Sequence, residues 1–110
     1  MNATDRDAGA GLDVTTLRRS DAIWVDVTGE ADISNVDVLR DALAVVELDR
    51  ATVHLELSHL DFADVASIRA LGAFADHVRD RGHRLVVHGT PPVVAKVARI
   101  TGLDPTLWQA

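Results

Sequence analysis

Apolar and polar residues alternate along several short stretches of the chain. The clearest is 22–28, where Ile23, Val25 and Val27 alternate with aromatic or polar residues. A period of two is typical of a β-strand that buries one face. Three further strands are predicted, at 12–19, 52–58 and 84–88.

A turn joins the first two strands, and a helix follows them. Ser20-Asp21 is a short polar turn, which predicts an antiparallel hairpin. Beyond the second strand, the apolar period changes to three or four residues over 36–48, as in an amphipathic helix. Either Ser34 or Asn35 can cap this helix.

Two more helices are predicted in the second half of the chain. The first begins after Asp64, a good N-cap residue, and ends before Gly82. Its core-facing stripe comprises Ile68, Leu71, Ala75 and Val78. The other opens at Pro91-Pro92 and ends at Gly102. Its predicted inward residues are Val93, Val97 and Ile100.

The order of predicted elements is β-β-α-β-α-β-α. Helical crossovers make the last three strands parallel. A sheet covered on both faces would show continuous apolar strands, whereas these strands alternate. The sequence therefore predicts an α/β fold, with a four-stranded mixed sheet and helices packed mainly on one face. The open face would carry Trp24, His54, Glu56, Val86 and His88.

The length of 110 residues suits one domain. We expect that domain over 12–110, after a disordered tail at 1–11, which is polar and rich in small residues. Near the end, Leu107 and Trp108 are candidates for packing on the domain. The chain has no cysteine, no visible signal peptide and no apolar run of membrane-spanning length, so we expect a cytoplasmic protein.

The charge balance bears on the class of partner. Seventeen acidic residues outnumber eleven basic ones, which gives a net charge of −6. The basic residues are scattered, whereas nucleic-acid-binding domains carry a basic stripe. We therefore expect no nucleic-acid partner and no direct membrane insertion, and a monomer or weak homodimer.

No pattern for catalysis or cofactor binding is present in the sequence. It contains neither a G-x-S-x-G motif nor a glycine-rich phosphate loop. His54, His88 and Glu56 can approach one another on the open face, but they lack the spacing of a metal motif. We expect no metal site, no cofactor and no enzymatic activity.

Three segments of the chain resemble the STAS domain, a family of bacterial anti-sigma factor antagonists and of cytoplasmic domains of sulfate transporters. They are "VTGEADISN", "VHLELSHLDFADVASIRAL" and "LVVHGTPPVVAKVARITGLD", and the likeness covers roughly residues 12–104. The resemblance implies a small mixed sheet with helices packed on it. It also implies a binding module for a kinase-type anti-sigma factor, which is released when a Ser or Thr after the motif Asp is phosphorylated.

This sequence differs from the family motif at the position of the phosphorylated Ser or Thr. Phe62 and Asp64 match the motif Phe and Asp, but Val65 and Ala66 stand where the two hydroxyl residues usually are. Ser67 stands at the following Gly position and is the one remaining candidate phosphoacceptor. As a residue of the first helical turn, it is favoured in a local structural role.

The resemblance implies a docking surface at the helix junction and in the loop before the first helix. The junction surface comprises Asp64, Val65, Ala66, Ser67 and Arg69. The first loop contributes Asp32, at the position of the family's Gly-x-x-Asp motif, and Ser34.

Two functions are open at this point. The first is an anti-sigma factor antagonist-like regulator that docks on an anti-sigma factor, a serine kinase-type protein or a related sensor, without the standard phosphorylation switch. The alternative is a STAS module that senses a small molecule or nucleotide, or that serves as an accessory subunit of a transport complex.

Overall fold

A computed structural model describes residues 3–49 and 52–102. The elements are β1 (Ala3–Gly9), β2 (Leu12–Arg19), β3 (Ala22–Ala31), α1 (Val36–Ala44), β4 (Thr52–Glu56), β5 (Leu60–Ala63), α2 (Val65–Asp80), β6 (Leu85–His88) and α3 (Pro92–Ile100). None of these helices is long and apolar enough to cross a membrane. The predicted packing of Leu107 and Trp108 lies outside the described residues.

The strands form one mixed sheet in the order β1-β2-β3-β4-β6, with β5 also paired to β3. Neighbours among β1, β2 and β3 are antiparallel, whereas β4 and β5 run parallel to β3, and β6 runs parallel to β4. The predicted fold class is confirmed, but the described part of the sheet has six strands where the sequence indicated four.

The first missed strand is β1, in the segment expected to be a disordered tail. Its residues pair along nearly the whole of β2, from Ala3 opposite Arg18 to Gly9 opposite Leu12. Ala10 and Gly11 join the two strands with φ angles of 51° and 87°, the positive values that tight hairpin turns require. The composition of β1 is polar because it forms an edge of the sheet, so no apolar alternation marked it.

The second missed strand, β5, extends the line of β4. Leu60 donates its N–H to the Leu57 carbonyl at 3.1 Å, which closes a tight turn after β4. The chain then pairs with the end of β3, from Gly29 to Ala31, while β4 pairs with its beginning. The predicted strand at 52–58 therefore ends at Glu56, and the sequence missed a second short strand, β5, that follows it on the same side of β3.

The core lies between the helices and one face of the sheet. Strand residues that point to this side are buried, for example Ile23, Val25 and Val27 in β3 and Val53 and Leu55 in β4. Residues of the other side stay partly exposed, as predicted. All four residues of the α2 stripe are buried: Ile68, Leu71, Ala75 and Val78.

The predictions for the other two helices need correction. In α3 the buried residues are Val94 and Ala98, whereas Val93 and Ile100 are 42% and 72% exposed. Val97 packs at the margin of the core, so the predicted inward side of α3 is wrong by about one residue. Helix α1 ends at Ala44, and its predicted continuation to residue 48 is an irregular segment.

Candidate functional site

The junction between β5 and α2 is fixed by Asp64. Its carboxylate accepts a hydrogen bond from the N–H of Ser67 at 2.9 Å, which confirms the predicted N-cap. Its own N–H donates to the carbonyl of Ala31 at 3.0 Å. The start of α2 is therefore tied to the end of β3, and the junction is a defined surface of the fold.

Apolar side chains are exposed around this cap. Val65 is 37% exposed, Phe62 is 39% exposed, and Ile33 in the first loop is 77% exposed. Arg69 is exposed four residues after Val65, so it lies on the same side of α2. Ala66 is half-buried. The start of α2 and the first loop thus expose apolar side chains, and Arg69 adds a cation one turn further along the helix.

Ser67 does not belong to this exposed surface. Its side chain is fully buried, and its hydroxyl has no hydrogen-bond partner among the described residues. As the third residue of α2, it points toward the core between the helix and the sheet. The structure therefore separates Ser67 from Val65 and Arg69, with which the sequence had grouped it.

The first loop is ordered by Asp32. Its carboxylate accepts hydrogen bonds from the N–H of Ser34 at 2.9 Å and from the Ser34 hydroxyl at 2.5 Å. These bonds lower the pKa of Asp32, with the hydroxyl bond as the largest cause. Asp32 is therefore held as an anion, and Ser34 is exposed beside it.

Asn35 bridges the first loop, whereas the sequence indicated it only as a possible cap of α1. Its side chain is 2% exposed and accepts a hydrogen bond from the N–H of Asp32 at 2.9 Å. Its amide N–H groups donate to the carbonyls of Glu30 at 2.8 Å and Ala10 at 3.0 Å. It occupies the N-cap position of α1 without a side-chain cap bond. An Asn directly before a helix can either cap that helix or bridge neighbouring loops, and the sequence alone does not distinguish the two roles.

The two predicted parts of the docking surface lie at the same end of the sheet. β3 and β5 are parallel neighbours, with Ala31 opposite Ala63, and each leads directly into one part. Asp32 follows β3, and Asp64 follows β5. The carboxyl ends of parallel strands are where α/β domains place their sites.

The open face of the sheet holds a second group of polar residues. His54 and His88 contact each other through ring nitrogens, as the sequence suggested. Glu56 instead accepts hydrogen bonds from the N–H and hydroxyl of Ser58, and the hydroxyl bond is the main cause that lowers the pKa of this carboxylate. Among the described residues, no group of three potential ligand side chains is arranged to hold a metal ion.

Solved structures with the same fold include two kinds of protein. An anti-sigma factor antagonist from Mycobacterium paratuberculosis has a TM-score of 0.70 and 22% identity, over 91% of this chain and 86% of that one. The anti-sigma factor antagonist SpoIIAA, in its unphosphorylated form, gives 0.60 and 18%, over 98% and 86%. The murine anion transporter Slc26a9 gives 0.61 and 17%, over 74% of this chain.

Coverage differs between these structures. The chain spans 14% of the Slc26a9 transporter, and it spans 20% of Mglu, another solved structure with this fold. At these identities, the likeness shows a common fold. No curated protein sequence matches the chain significantly.

The sequence itself matches the profile of a family described as "Mlab, STAS domain" over residues 12–108. This match covers most of the chain and includes β2 to α3 of the described structure. The resemblance inferred from the sequence segments is thus confirmed, and the chain belongs to the STAS domain family.

Proposed function

We propose that this chain is a regulatory protein-binding module of the anti-sigma factor antagonist type. It docks through the junction surface and the first loop on an anti-sigma factor, a serine kinase-type protein or a related sensor in the bacterial cytoplasm. In this proposal it is not an enzyme, and the partner does not regulate it by phosphorylation at the usual position.

One observation supports this proposal above the others. The helix start that bears the hydroxyl switch in the family is kept in shape by the Asp64 cap, while its exposed positions are apolar. Val65 has no group that can accept phosphate, and neither has Ala66. The nearest hydroxyl in α2, that of Ser67, is buried. The shape of this helix start is therefore retained, whereas its exposed positions hold no residue that can be phosphorylated.

The physical chemistry of the junction favours a partner that buries apolar surface. A phosphate at a helix N-terminus brings nearly two negative charges and expels a partner that lies against it. Without it, Val65 at the start of α2 and Ile33 in the first loop expose apolar surface in the same two segments that carry the cation of Arg69 and the anion of Asp32. An apolar centre with charged groups at its margin is the usual arrangement of a protein interface.

A charge placed at the centre of this surface tests the proposal. In Val65→Asp or Ala66→Asp, the new carboxylate lies at the N-terminus of α2, which favours an anion by about 0.3–1 kcal/mol. Folding should therefore be retained, with a melting temperature within a few degrees of the parent. A partner that buries this position must desolvate an unpaired carboxylate, so we expect binding to weaken by at least about a hundredfold.

Val93→Asp is the matched control. Val93 is an early residue of α3, as Val65 is of α2, and the two are similarly exposed, at 42% and 37%. This variant carries the same charge at an equivalent helix position that is not one of the junction-surface residues, so its binding should weaken far less than that of Val65→Asp. Binding by a folded Val65→Asp that matches the Val93→Asp control would place the partner surface elsewhere, such as the open sheet face.

A second candidate function is an accessory module of a transport complex. It is favoured by the likeness to part of an anion transporter, Slc26a9. A permanently bound module also has no need of a phosphate switch. Isolation of the protein with its partners from native cells, followed by mass spectrometry, separates the candidates: the first requires an anti-sigma factor, kinase or sensor, and the second requires transporter subunits.

A further inference from the structure

Three aromatic rings form a compact group on the open face of the sheet. The ring of Trp24 stacks on that of His54 with centroids 4.2 Å apart and on that of His88 with centroids 4.9 Å apart. Nδ1 of His54 lies 2.9 Å from Nε2 of His88. Their centroids are 5.2 Å apart with 25° between the planes, so the imidazoles lie edge to edge beneath one indole. We call His54 and His88 the histidine pair.

The strand register explains the meeting of these residues. Trp24 on β3 is directly opposite His54 on β4. His88 on β6 is opposite Glu56, two residues further along β4, so His88 reaches His54 diagonally across the sheet. Such diagonal neighbours are within reach of aromatic side chains. Since the face is open, the rings remain half-exposed and accessible to protons.

The contact between the two ring nitrogens limits how many protons the pair can hold. When both rings are neutral, one facing nitrogen donates its N–H and the other accepts. A first added proton binds an outer nitrogen of the donor ring and leaves a charge-assisted hydrogen bond in place. The nitrogen that remains for a second proton is the acceptor itself. A second proton therefore removes the hydrogen bond and places two cations side by side.

Neighbouring charges determine how strongly the histidine pair binds each proton. Desolvation lowers the pKa of His54, and the charges of His88 and Arg84 lower it further. Negative charge lies near His88 on the same face. The strand register places His88 on β6 opposite Glu56 on β4, and Glu56 opposite Asp26 on β3. From β2, the uncharged residues Thr15 and Leu17 lie beside Asp26 and Trp24. The first proton thus has carboxylates near it, whereas the second meets a cation on a half-buried ring.

We propose that the histidine pair under Trp24 is a proton switch on the open face of the sheet. It holds one proton with its geometry intact, and it opens when a second proton binds. The charge and shape of this face therefore change in mildly acidic solution, independently of the junction surface. The switch makes any contact on this face sensitive to pH.

Nuclear magnetic resonance of the imidazole rings tests the coupling directly. A titration from pH 8 to pH 4 should show that the second proton binds the pair at least about tenfold more weakly than the first. In His88→Gln, which can still pair with His54 but cannot take up a proton, His54 should titrate as a single site with a higher pKa. An unchanged titration of His54 in this variant would overturn the proposal.

Trp24 offers a second measurement. The chain has two tryptophans, so Trp108→Phe leaves Trp24 as the reporter. A protonated imidazole quenches indole fluorescence, so the emission should fall when the pair takes up protons. This step should be absent when both His54→Gln and His88→Gln are introduced. An identical pH profile without the histidines would contradict the proposal, because both imidazoles stack on Trp24 and a proton bound there must affect the indole.

The substituted residues lie outside the core, so we expect the variants to fold. Thermal unfolding at pH 8 verifies this.

The direction in which pH changes the stability of the protein also follows from the histidine pair. His54 binds a proton less tightly in the folded chain, so stability is complete above about pH 6.5 and is lost as the pH falls through the lower folded-state pKa. The double glutamine variant should lose less melting temperature between pH 7 and pH 5 than the parent. An equal loss would contradict the proposal.

A transition metal could compete for the same nitrogens. One equivalent of Zn²⁺ added at neutral pH should leave the ring resonances of His54 and His88 unchanged at micromolar concentration. If Zn²⁺ shifts both, and the acid titration shows two independent single sites, the pair is a metal site and the proton switch is wrong.

Discussion

Ser67 differs from its neighbours at the junction because it combines a hydroxyl with complete burial. The sequence identified Asp64 as the cap because the capping preference depends on the residue and its immediate neighbours. It could not identify the burial of Ser67, which depends on how α2 is rotated against the sheet. It also could not show whether Asn35 caps α1 or bridges the first loop to its neighbours. Local chemistry was predictable here, whereas contacts made across the fold were not.

The burial of Ser67 leads to a prediction with opposite outcomes for two substitutions. Ser67→Ala removes a buried hydroxyl that has no partner, so the free energy of unfolding should stay the same or rise by up to about 1 kcal/mol. Ser67→Asp buries an unpaired carboxylate and should destabilise the protein by several kcal/mol. Chemical denaturation measures both. Ala66→Asp, one residue earlier and half-buried, is the control that should fold.

The burial of Ser67 also predicts that a kinase does not phosphorylate it in the folded protein. If the proposed partner is a serine kinase, incubation of the folded protein with that kinase and ATP should leave the mass of the peptide that contains Ser67 unchanged, since the hydroxyl of Ser67 is buried. A stoichiometric gain of one phosphate on Ser67 would show that the switch is displaced by one or two positions and still operates.

At the scale of elements, the pattern predicted α2 well and α3 less well. Helix α2 has 16 residues and a stripe that repeats over about three turns, so a single rotation fits all its apolar positions. Helix α3 has nine residues and apolar groups on more than one side, among them Val93, Val94 and Val97. Several rotations fit such a pattern equally, and packing against the core chooses one that buries Val94 and Ala98.

The α2 stripe predicts a large cost for a truncated side chain. Leu71 is fully buried, so Leu71→Ala should lower the free energy of unfolding by about 2–5 kcal/mol. Val93→Ala on α3 is the comparison, and it should cost less than about 1 kcal/mol because Val93 is 42% exposed. Urea denaturation of both variants measures the difference. Equal costs would mean that the helix faces are assigned incorrectly.

At the scale of the whole molecule, β1 gives the sheet one of its edges. Without it, the N–H and C=O groups along the outer side of β2 would be unpaired over 12–18. β1 was hidden in the sequence because an edge strand with one solvated side needs few apolar residues. The general architecture was nevertheless predictable, since the helical crossovers and the alternating strands leave few arrangements of such a chain.

Removal of residues 1–9 tests the contribution of β1. We expect a lower melting temperature and more self-association than in the full chain, because the newly exposed edge of β2 can pair with another copy. Scanning calorimetry and sedimentation velocity measure the two effects. Arg6→Ala is the control: it removes an exposed ion pair to Asp13 at 3.0 Å, which contributes at most about 1 kcal/mol, and it leaves the strand in place.

The long strand β3 has a consequence for the speed of recognition. Its ten residues are bonded to β2 along one side and to β4 and β5 along the other, so its amide hydrogens should be among the slowest to exchange with solvent. The first loop leaves the end of this strand, and the start of α2 is bonded to the same end through Ala31. Both halves of the proposed docking surface are thus anchored to the strand whose hydrogen bonds should be the most stable in the sheet. If the proposed function is right, a partner meets a surface that is already formed, and association does not have to wait for a segment to fold.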